Sequence, residues 1–225
     1  MTPRRTAPWA AIALAAVLAA CAGGPPPPDW QANAHSAIDR AVAAHLLGDT
    51  RAEAQEFALA RSEVARTGRV DLLARVELTR CAARVASLAF GPCEGFEALR
   101  RDAAAGEIAY ADHLAAQALT RERIALLPAA QQPAARAIAG GEMSLSSLRN
   151  IEPALSRLLA VALLFQSGKA SPEMIALAVD TASAQGWRRP LLAWLEVQAL
   201  HAERGGSAGE AQRIRRRMDA VQSAR

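Results

Sequence analysis

The chain has 225 residues with 26 lysines and arginines, 22 aspartates and glutamates and a net charge of +4 at pH 7. So small an excess of positive charge does not favour a nucleic-acid-binding protein, because such proteins usually carry a pronounced basic patch. The length suits one domain with a substantial core. Alanine and leucine are abundant, aromatic residues make up 4%, and no apolar run alternates over the length of a strand. Together these features predict an all-α fold.

The first twenty residues have the layout of a secretory signal segment. Arg4 and Arg5 precede an apolar run from Ala7 to Ala20, and small residues close the run. The run is shorter than the about 20 apolar residues that a membrane-spanning helix needs. We therefore expect residues 1–20 to direct export and to be removed, which leaves a net charge of +2 once Arg4 and Arg5 are gone.

The end of this segment, Leu18-Ala19-Ala20-Cys21, resembles the lipobox of bacterial lipoproteins. The resemblance implies that Cys21 receives a diacylglyceryl group, that the chain is cleaved before it, and that the new amino terminus is acylated, for example with palmitate. Two or more acyl chains give stable membrane anchoring. Because Ala22 is not acidic, the resemblance implies the periplasmic face of the outer membrane, with the inner membrane as the alternative. An ordinary signal segment with a chance cysteine would also explain the pattern.

A proline run follows the cysteine. Pro25 to Pro28 cannot form a helix and favour an extended polyproline II conformation of about 3.1 Å per residue. We interpret residues 21–29 as the lipid-bearing tether and residues 30–225 as one helical domain.

Two helices are predicted next, Trp30–Leu47 with Asp29 as N-cap and Arg51–Arg66. Between them, Gly48 predicts the end of one helix, and Thr50 with Glu53 predicts a capping box at the start of the next. Gly206, Ser207 and Glu210 repeat this pattern near the carboxyl terminus. The two segments therefore predict equivalent hairpin turns.

The first hairpin is similar to a tetratricopeptide repeat at four positions of its 34-residue unit, namely Ala41, Gly48, Phe57 and Ala60. Glu53 departs from the pattern where the family has alanine. A last unit fits at Ala199, Gly206 and Ala211, but Arg215 replaces the expected aromatic residue. The resemblance implies antiparallel hairpins stacked as a tetratricopeptide-like α-solenoid or a compact helical array. Any antiparallel helix pair with a short glycine turn could also produce it.

The remaining helices are predicted from apolar periodicity and breakers. In chain order they are Val70–Ala89, Glu94–Ala104, Glu107–Leu127, a helix from Ile151 to about Gly168, one from Ser171-Pro172 to Gly186, one opened by Pro190, and a last one after Ser207. Pro128, Pro133 and the Gly140-Gly141 pair make the middle the least regular part.

Cys81 and Cys93 form an even pair, which favours a disulfide in an exported protein. A bridge needs Cα atoms within about 7 Å. A helix continuing to Phe90 would separate the two cysteines too far, so the bond requires the helix to stop near Ala86 to Leu88 or the chain to double back. Buried free thiols are the alternative.

No motif predicts catalysis, a metal or another cofactor. The histidines His35, His45, His113 and His201 are scattered singly, and His35 with Asp39 fits a pair on a helix surface. The sequence contains no HExxH, nucleophile elbow or phosphate-binding loop. The Glu-Ser pairing of lytic transglycosylases, which are also helical, is absent as well.

One stretch is a candidate for binding a protein partner. Trp187, Arg188, Arg189 and Trp194 concentrate the residue types that contribute most to interface energy. Alternatively, Trp194 packs in the core, Trp187 covers it and both arginines face water.

We expect a lipid-anchored periplasmic scaffold or adaptor that binds a protein partner in envelope assembly or secretion, by analogy with tetratricopeptide-like lipoproteins. A cell-wall hydrolase or its regulator, and a carrier of a small ligand, are the alternatives. Nucleic acid is not an expected partner.

Overall fold

The computed structural model describes residues 28–223, and every regular element in that range is helical. An all-α fold is therefore confirmed for this part of the chain. Its twelve α-helices are α1 Asp29–Leu47, α2 Thr50–Ala65, α3 Val70–Ala86, α4 Glu94–Glu97, α5 Ala105–Leu114, α6 Arg121–Ala125, α7 Gln132–Ile138, α8 Leu145–Arg149, α9 Ala154–Gln166, α10 Pro172–Ala184, α11 Arg188–Arg204 and α12 Ala208–Ser223. A 3₁₀ turn covers Arg100–Asp102.

Helices α3 and α9 lie at the centre. In α9 the run from Leu158 to Leu164 is buried on all sides, as expected of a helical stretch that contains only apolar residues. It packs against α3, α7, α8 and α10. Helix α3 also contacts α1, α2, α4 and α5, so its apolar residues contribute both to the main core and to a smaller one between α1 and α2.

Contacts between distant segments make the array compact. In a linear solenoid each repeat touches only its neighbours. Here α3 packs on α9 and α1 packs on α11, although many residues separate these helices along the chain. The indole Nε1 of Trp194 in α11 donates a hydrogen bond to the carbonyl oxygen of Ala86 at 3.2 Å, which links α11 to the end of α3.

The two predicted hairpin turns share one backbone arrangement. The Asp49 N–H bonds to the Ala44 oxygen after Gly48, and the Ser207 N–H bonds to the Ala202 oxygen after Gly206, each at 2.9 Å. Gly48 and Gly206 have φ values of 87° and 75°, the left-handed conformation that glycine adopts without strain. These bonds form the Schellman motif. The predicted equivalence of the turns is confirmed.

The predicted capping box at the start of α2 is wrong. Asp49, one residue earlier than expected, is the N-cap, and its side chain accepts a hydrogen bond from the Ala52 N–H at 2.9 Å. Helix α2 therefore begins at Thr50. The Glu53 carboxylate turns into the protein instead of back to the helix start, and it is 5% exposed.

Three helices are shorter than predicted. Helix α3 ends at Ala86 rather than Ala89, and the predicted helix 107–127 is two helices, Ala105–Leu114 and Arg121–Ala125. Both stops are followed by a residue with left-handed φ, 60° at Leu88 and 53° at Ala116. The predicted helix 94–104 is reduced to α4 and the 3₁₀ turn.

The later helix starts are closer to the prediction. Ser171 is the N-cap of α10, Pro172 occupies the first turn, and the Ser171 hydroxyl accepts a hydrogen bond from the Met174 N–H at 3.4 Å. Helix α11 starts at Arg188, two residues before the expected Pro190, with Trp187 at its N-cap. The irregular middle is confirmed, since α6, α7 and α8 have only five to seven residues each.

Candidate functional site

The stretch that the sequence singled out lies at the start of α11, against the turn between α1 and α2. Trp194 is fully buried and meets Phe165 edge to face, with ring centroids 5.7 Å apart. Trp187 is half-buried and packs against the same core. The contacts of both rings within the chain thus explain the presence of these tryptophans without a bound protein.

The two arginines of this stretch contact the first hairpin. Nη2 of Arg189 donates a hydrogen bond to the Thr50 hydroxyl at 3.0 Å and lies 3.5 Å from Oε2 of Glu53. The guanidinium of Arg188 lies beside Gly48, where an added Cβ would come within 3.4 Å of Nη2. Arginines oppose the dipole at a helix N-terminus, and for Arg189 the Glu53 carboxylate compensates for that position.

Glu53 is also the centre of a buried polar group that sequence reasoning missed. Its Oε2 lies 3.0 Å from Nδ1 of His45, and Nε2 of His45 lies 3.1 Å from the hydroxyl of Ser87. We call His45, Glu53, Ser87 and Arg189 the junction network, because they join α1, α2, α3 and α11. A signal for it existed, since Glu53 stands where the repeat pattern has a small residue.

Burial sets the protonation of the junction network. His45 is 2% exposed, and this loss of water lowers its pKa, which favours the neutral ring. A neutral ring with its proton on Nδ1, which lies 3.0 Å from Oε2 of Glu53, has Nε2 free to accept a hydrogen bond from Ser87. The Ser87 hydroxyl lies 3.1 Å from both His45 Nε2 and the Ala83 oxygen, so its single proton serves one acceptor at a time.

The order Ser87–His45–Glu53, with separations of 3.1 and 3.0 Å, has the spacing of a nucleophile, base and orienting acid. Two features argue against catalysis. Ser87 is 6% exposed, so a substrate cannot reach its hydroxyl. The Ser87 N–H is also directed at the Ala83 and Arg84 carbonyl oxygens of α3, at 3.3 and 3.0 Å, and is unavailable to an oxyanion. The junction network is therefore a structural connection between helices.

The structure places Cys81 and Cys93 at disulfide distance, with Cα atoms 5.8 Å apart. This closeness follows from the early end of α3 at Ala86 and the left-handed Leu88, the condition that the sequence set for a bridge. Cys81 belongs to the main core, and Cys93 is the N-cap of α4.

A groove of about 730 Å³ lies between α6 and α7. We call it the α6–α7 groove; its apolar lining consists of Leu119, Ile124, Ala125 and Ala139, and its polar lining of Arg121, Gln132 and Arg136. Arg136 donates a hydrogen bond to Oε1 of Gln132 at 2.9 Å. No aspartate or glutamate belongs to this lining, which consists wholly of described residues. Sequence reasoning gave these residues no role.

The histidines do not form a metal site. His35 and Asp39 are an exposed pair on α1, 3.5 Å apart, while His113 is fully buried with Nε2 3.4 Å from Oε1 of Gln131. Within residues 28–223, no three His, Cys, Asp or Glu side chains come together in a way that could hold a metal ion.

The expected signal segment, Cys21 and most of the proline tether lie outside the described residues. None of the helices between residues 28 and 223 combines the length and apolar character that crossing a bilayer requires.

Comparison of the chain with protein-family models, with curated proteins and with solved structures finds no match.

Proposed function

We propose that this chain is a lipid-anchored adaptor of a bacterial envelope, attached through Cys21 to the periplasmic face of the outer membrane, that binds a protein partner in envelope assembly or secretion. The observation that carries the location is Leu18-Ala19-Ala20-Cys21, placed directly after an apolar run with Arg4 and Arg5 in front of it. Ala22 favours the outer membrane over the inner one.

The cysteine pair supports a location outside the cytosol. Disulfides persist in oxidising compartments and are rare where glutathione keeps thiols reduced. Cys81 and Cys93 are the two cysteines that remain after Cys21 is set aside, and they lie at disulfide distance.

The adaptor role is supported by the kind of surface that the helices present. Short helices in the middle of the chain leave an open groove, in which Ala125 and Ala139 are exposed. Helix faces and grooves of this kind commonly bind peptide segments of other proteins.

The two alternatives have less support. A glycoside hydrolase needs a carboxylic acid that carries a proton in an accessible cleft, whereas the buried carboxylates of Glu53 and Glu107 pair with His45 and Arg75. A carrier of small ligands would favour a closed apolar cavity, and the α6–α7 groove is open and rimmed by charge.

Metabolic labelling with palmitate tests the location. We expect the unaltered chain and a Cys93→Ser variant, which keeps Cys21, to incorporate the label and to fractionate with membranes. A Cys21→Ser variant should incorporate none. Absence of label from the unaltered chain would refute lipid anchoring, and outer-membrane and inner-membrane fractions would distinguish the two destinations.

Crosslinking in intact envelopes tests the adaptor role. We expect the anchored chain to capture one or a few envelope proteins, and the Cys21→Ser variant to lose them. Binding or cleavage of purified peptidoglycan by the chain, without any captured protein, would support the cell-wall alternative instead.

A further inference from the structure

We propose that the α6–α7 groove is where the partner docks, and that the docking segment is an acidic peptide whose apolar side chains enter the groove between carboxylates. This inference rests on the proposed function, since it names the surface and the chemistry of the partner. Two properties of the groove carry it: an apolar floor and a positive rim without compensating charge.

The floor can hold apolar side chains. Leu119 and Ile124 form it, each 5% exposed and packed in a small core with Ala109, Leu127 and Ala135. A volume of about 730 Å³ lies within the usual range of about 300 to 1,000 Å³ for ligand sites. Since the floor residues are fixed by the core beneath them, the groove is formed before a ligand arrives.

The rim is positive and lacks an acidic partner. Arg121 and Arg136 are exposed, and neither makes an ion pair with any residue between 28 and 223. Glu122, next to Arg121 in the chain, interacts with the Thr120 hydroxyl. Asp112 pairs with Arg100 and Arg123.

Several exposed arginines elsewhere in the described part of the chain do have an acidic partner. Arg40 pairs with Glu56, Arg75 with Glu107 and Arg215 with Glu203. The groove therefore combines an apolar floor with two cationic groups that an anionic ligand can satisfy. Charge complementarity of this kind selects partners and accelerates encounter.

The proposed occupant is another molecule. Residues 1–27, 224 and 225 contain no aspartate or glutamate, so they cannot supply side-chain carboxylates to the rim. Arg121 belongs to α6 and Arg136 to α7. A peptide with carboxylates on both sides of an apolar side chain can form an ion pair with each arginine, whereas a fatty acid has only one carboxylate.

Fluorescence anisotropy with the full chain, purified in detergent, tests this docking. The probe is a short labelled peptide that alternates glutamate and leucine, and the control probe alternates lysine and leucine. We expect the acidic probe alone to bind, more weakly at high salt because exposed charges are screened. The double variant Arg121→Glu/Arg136→Glu should bind it at least about tenfold more weakly.

A matched variant controls for net charge. Arg149→Glu/Arg216→Glu reverses two exposed arginines outside the groove and should change the affinity by less than about twofold. Circular dichroism should show the same helix content in both double variants. A second groove variant, Ala125→Trp, fills the groove without changing charge and should also weaken binding.

Several results would overturn the proposal. They are no binding of the acidic probe, equal binding of both probes, equal affinity of the two double variants, or displacement of the acidic probe by decanoate, which would make the groove a fatty-acid site. If envelope crosslinking still captures the partner with Arg121→Glu/Arg136→Glu, the surface assignment fails and the adaptor stands. If Cys21 is never lipidated, the location fails while the peptide result is unaffected.

Discussion

Glu53 is a buried carboxylate whose partners come from three other helices, namely His45 in α1, Arg189 in α11 and the more distant Arg80 in α3. It stands at a position where the repeat pattern has a small residue. A charged residue at a small, inward position indicates a buried ion pair, but the fold decides what completes it.

The first prediction concerns the charge of Glu53. A Glu53→Gln variant keeps the size of the side chain but leaves Arg189 and His45 without a carboxylate, so we expect a loss of about 3 kcal/mol in the free energy of unfolding. Urea denaturation measures it. Glu56→Gln, on the same helix, removes the partner of the exposed Arg40 and should cost much less. Equal losses in the two variants would show that burial of the junction network contributes nothing.

The second prediction concerns His113. Burial lowers the pKa of His113 to about 4, against an ordinary value of 6.5. Between these pH values the unfolded chain binds a proton at this histidine that the folded chain does not bind. The contribution of His113 to the free energy of unfolding is therefore fully present above pH 6.5, and about 3 kcal/mol is lost as the pH drops to 4. Burial lowers the pKa of His45 as well, so its contribution has the same sign.

A comparison of variants isolates the His113 contribution. Urea unfolding at a series of pH values should give a flatter profile between pH 6.5 and 4 for His113→Gln than for the unaltered chain. His35→Gln, at an exposed position of α1, should leave the profile unchanged. A His113→Gln profile as steep as that of the unaltered chain would contradict the assignment.

At the scale of elements, four of the predicted helix ends coincide with a glycine. Gly48, Gly168, Gly186 and Gly206 all have left-handed φ, and each follows a helix. The same conformation at Leu88 and Ala116 is hidden in the sequence, because neither residue type signals a stop. Tertiary packing outweighs the cost of about 1 to 2 kcal/mol that this conformation has for an L-residue. The sequence therefore predicts both helices to continue beyond the residues at which they end.

The third prediction tests this cost at Ala116. Ala116→Gly relieves the left-handed strain but makes the unfolded chain more flexible, so we expect a net gain of up to about 1 kcal/mol. Ala58→Gly, at an exposed position inside α2, should lower stability by about 1 kcal/mol. Thermal unfolding should move in opposite directions for the two variants. A loss in both would mean that the Ala116 methyl group matters more than its conformation.

Alanine-rich helix faces explain why the packing of helices against one another is harder to predict than the helices themselves. The core between α1 and α2 contains Ala34, Ala37, Ala41 and Ala60. Small residues allow close approach but offer few side-chain ridges that fix one register. Ion pairs between helices determine the relative position of two helices more strongly. One example joins Arg75 of α3 to Glu107 of α5 at 2.6 Å. Such pairs depend on the final arrangement, which the sequence pattern did not indicate.

At the scale of the whole molecule, the repeat pattern implies neighbour contacts only. It gives no indication that α3 meets α9 or that α1 meets α11. The junction network lies at the second of these contacts, where Arg189 of α11 reaches Thr50 and Glu53 of α2. Arg189, which the sequence suggested as part of an interface, thus connects α11 to the first hairpin.

The fourth prediction follows from the contact between α11 and the first hairpin. In a solenoid, a change in α11 would affect its neighbours α10 and α12. In the compact array, Arg189→Ala should also raise amide hydrogen exchange in α1 and α2 by about tenfold, because it removes the polar contacts that hold the first hairpin on α11. Arg217→Ala is the matched control, since Arg217 of α12 contacts Ser183 of α10 and should leave α1 and α2 unchanged. Exchange that rises in α10 to α12 alone after Arg189→Ala would mean that the first hairpin is held independently of α11.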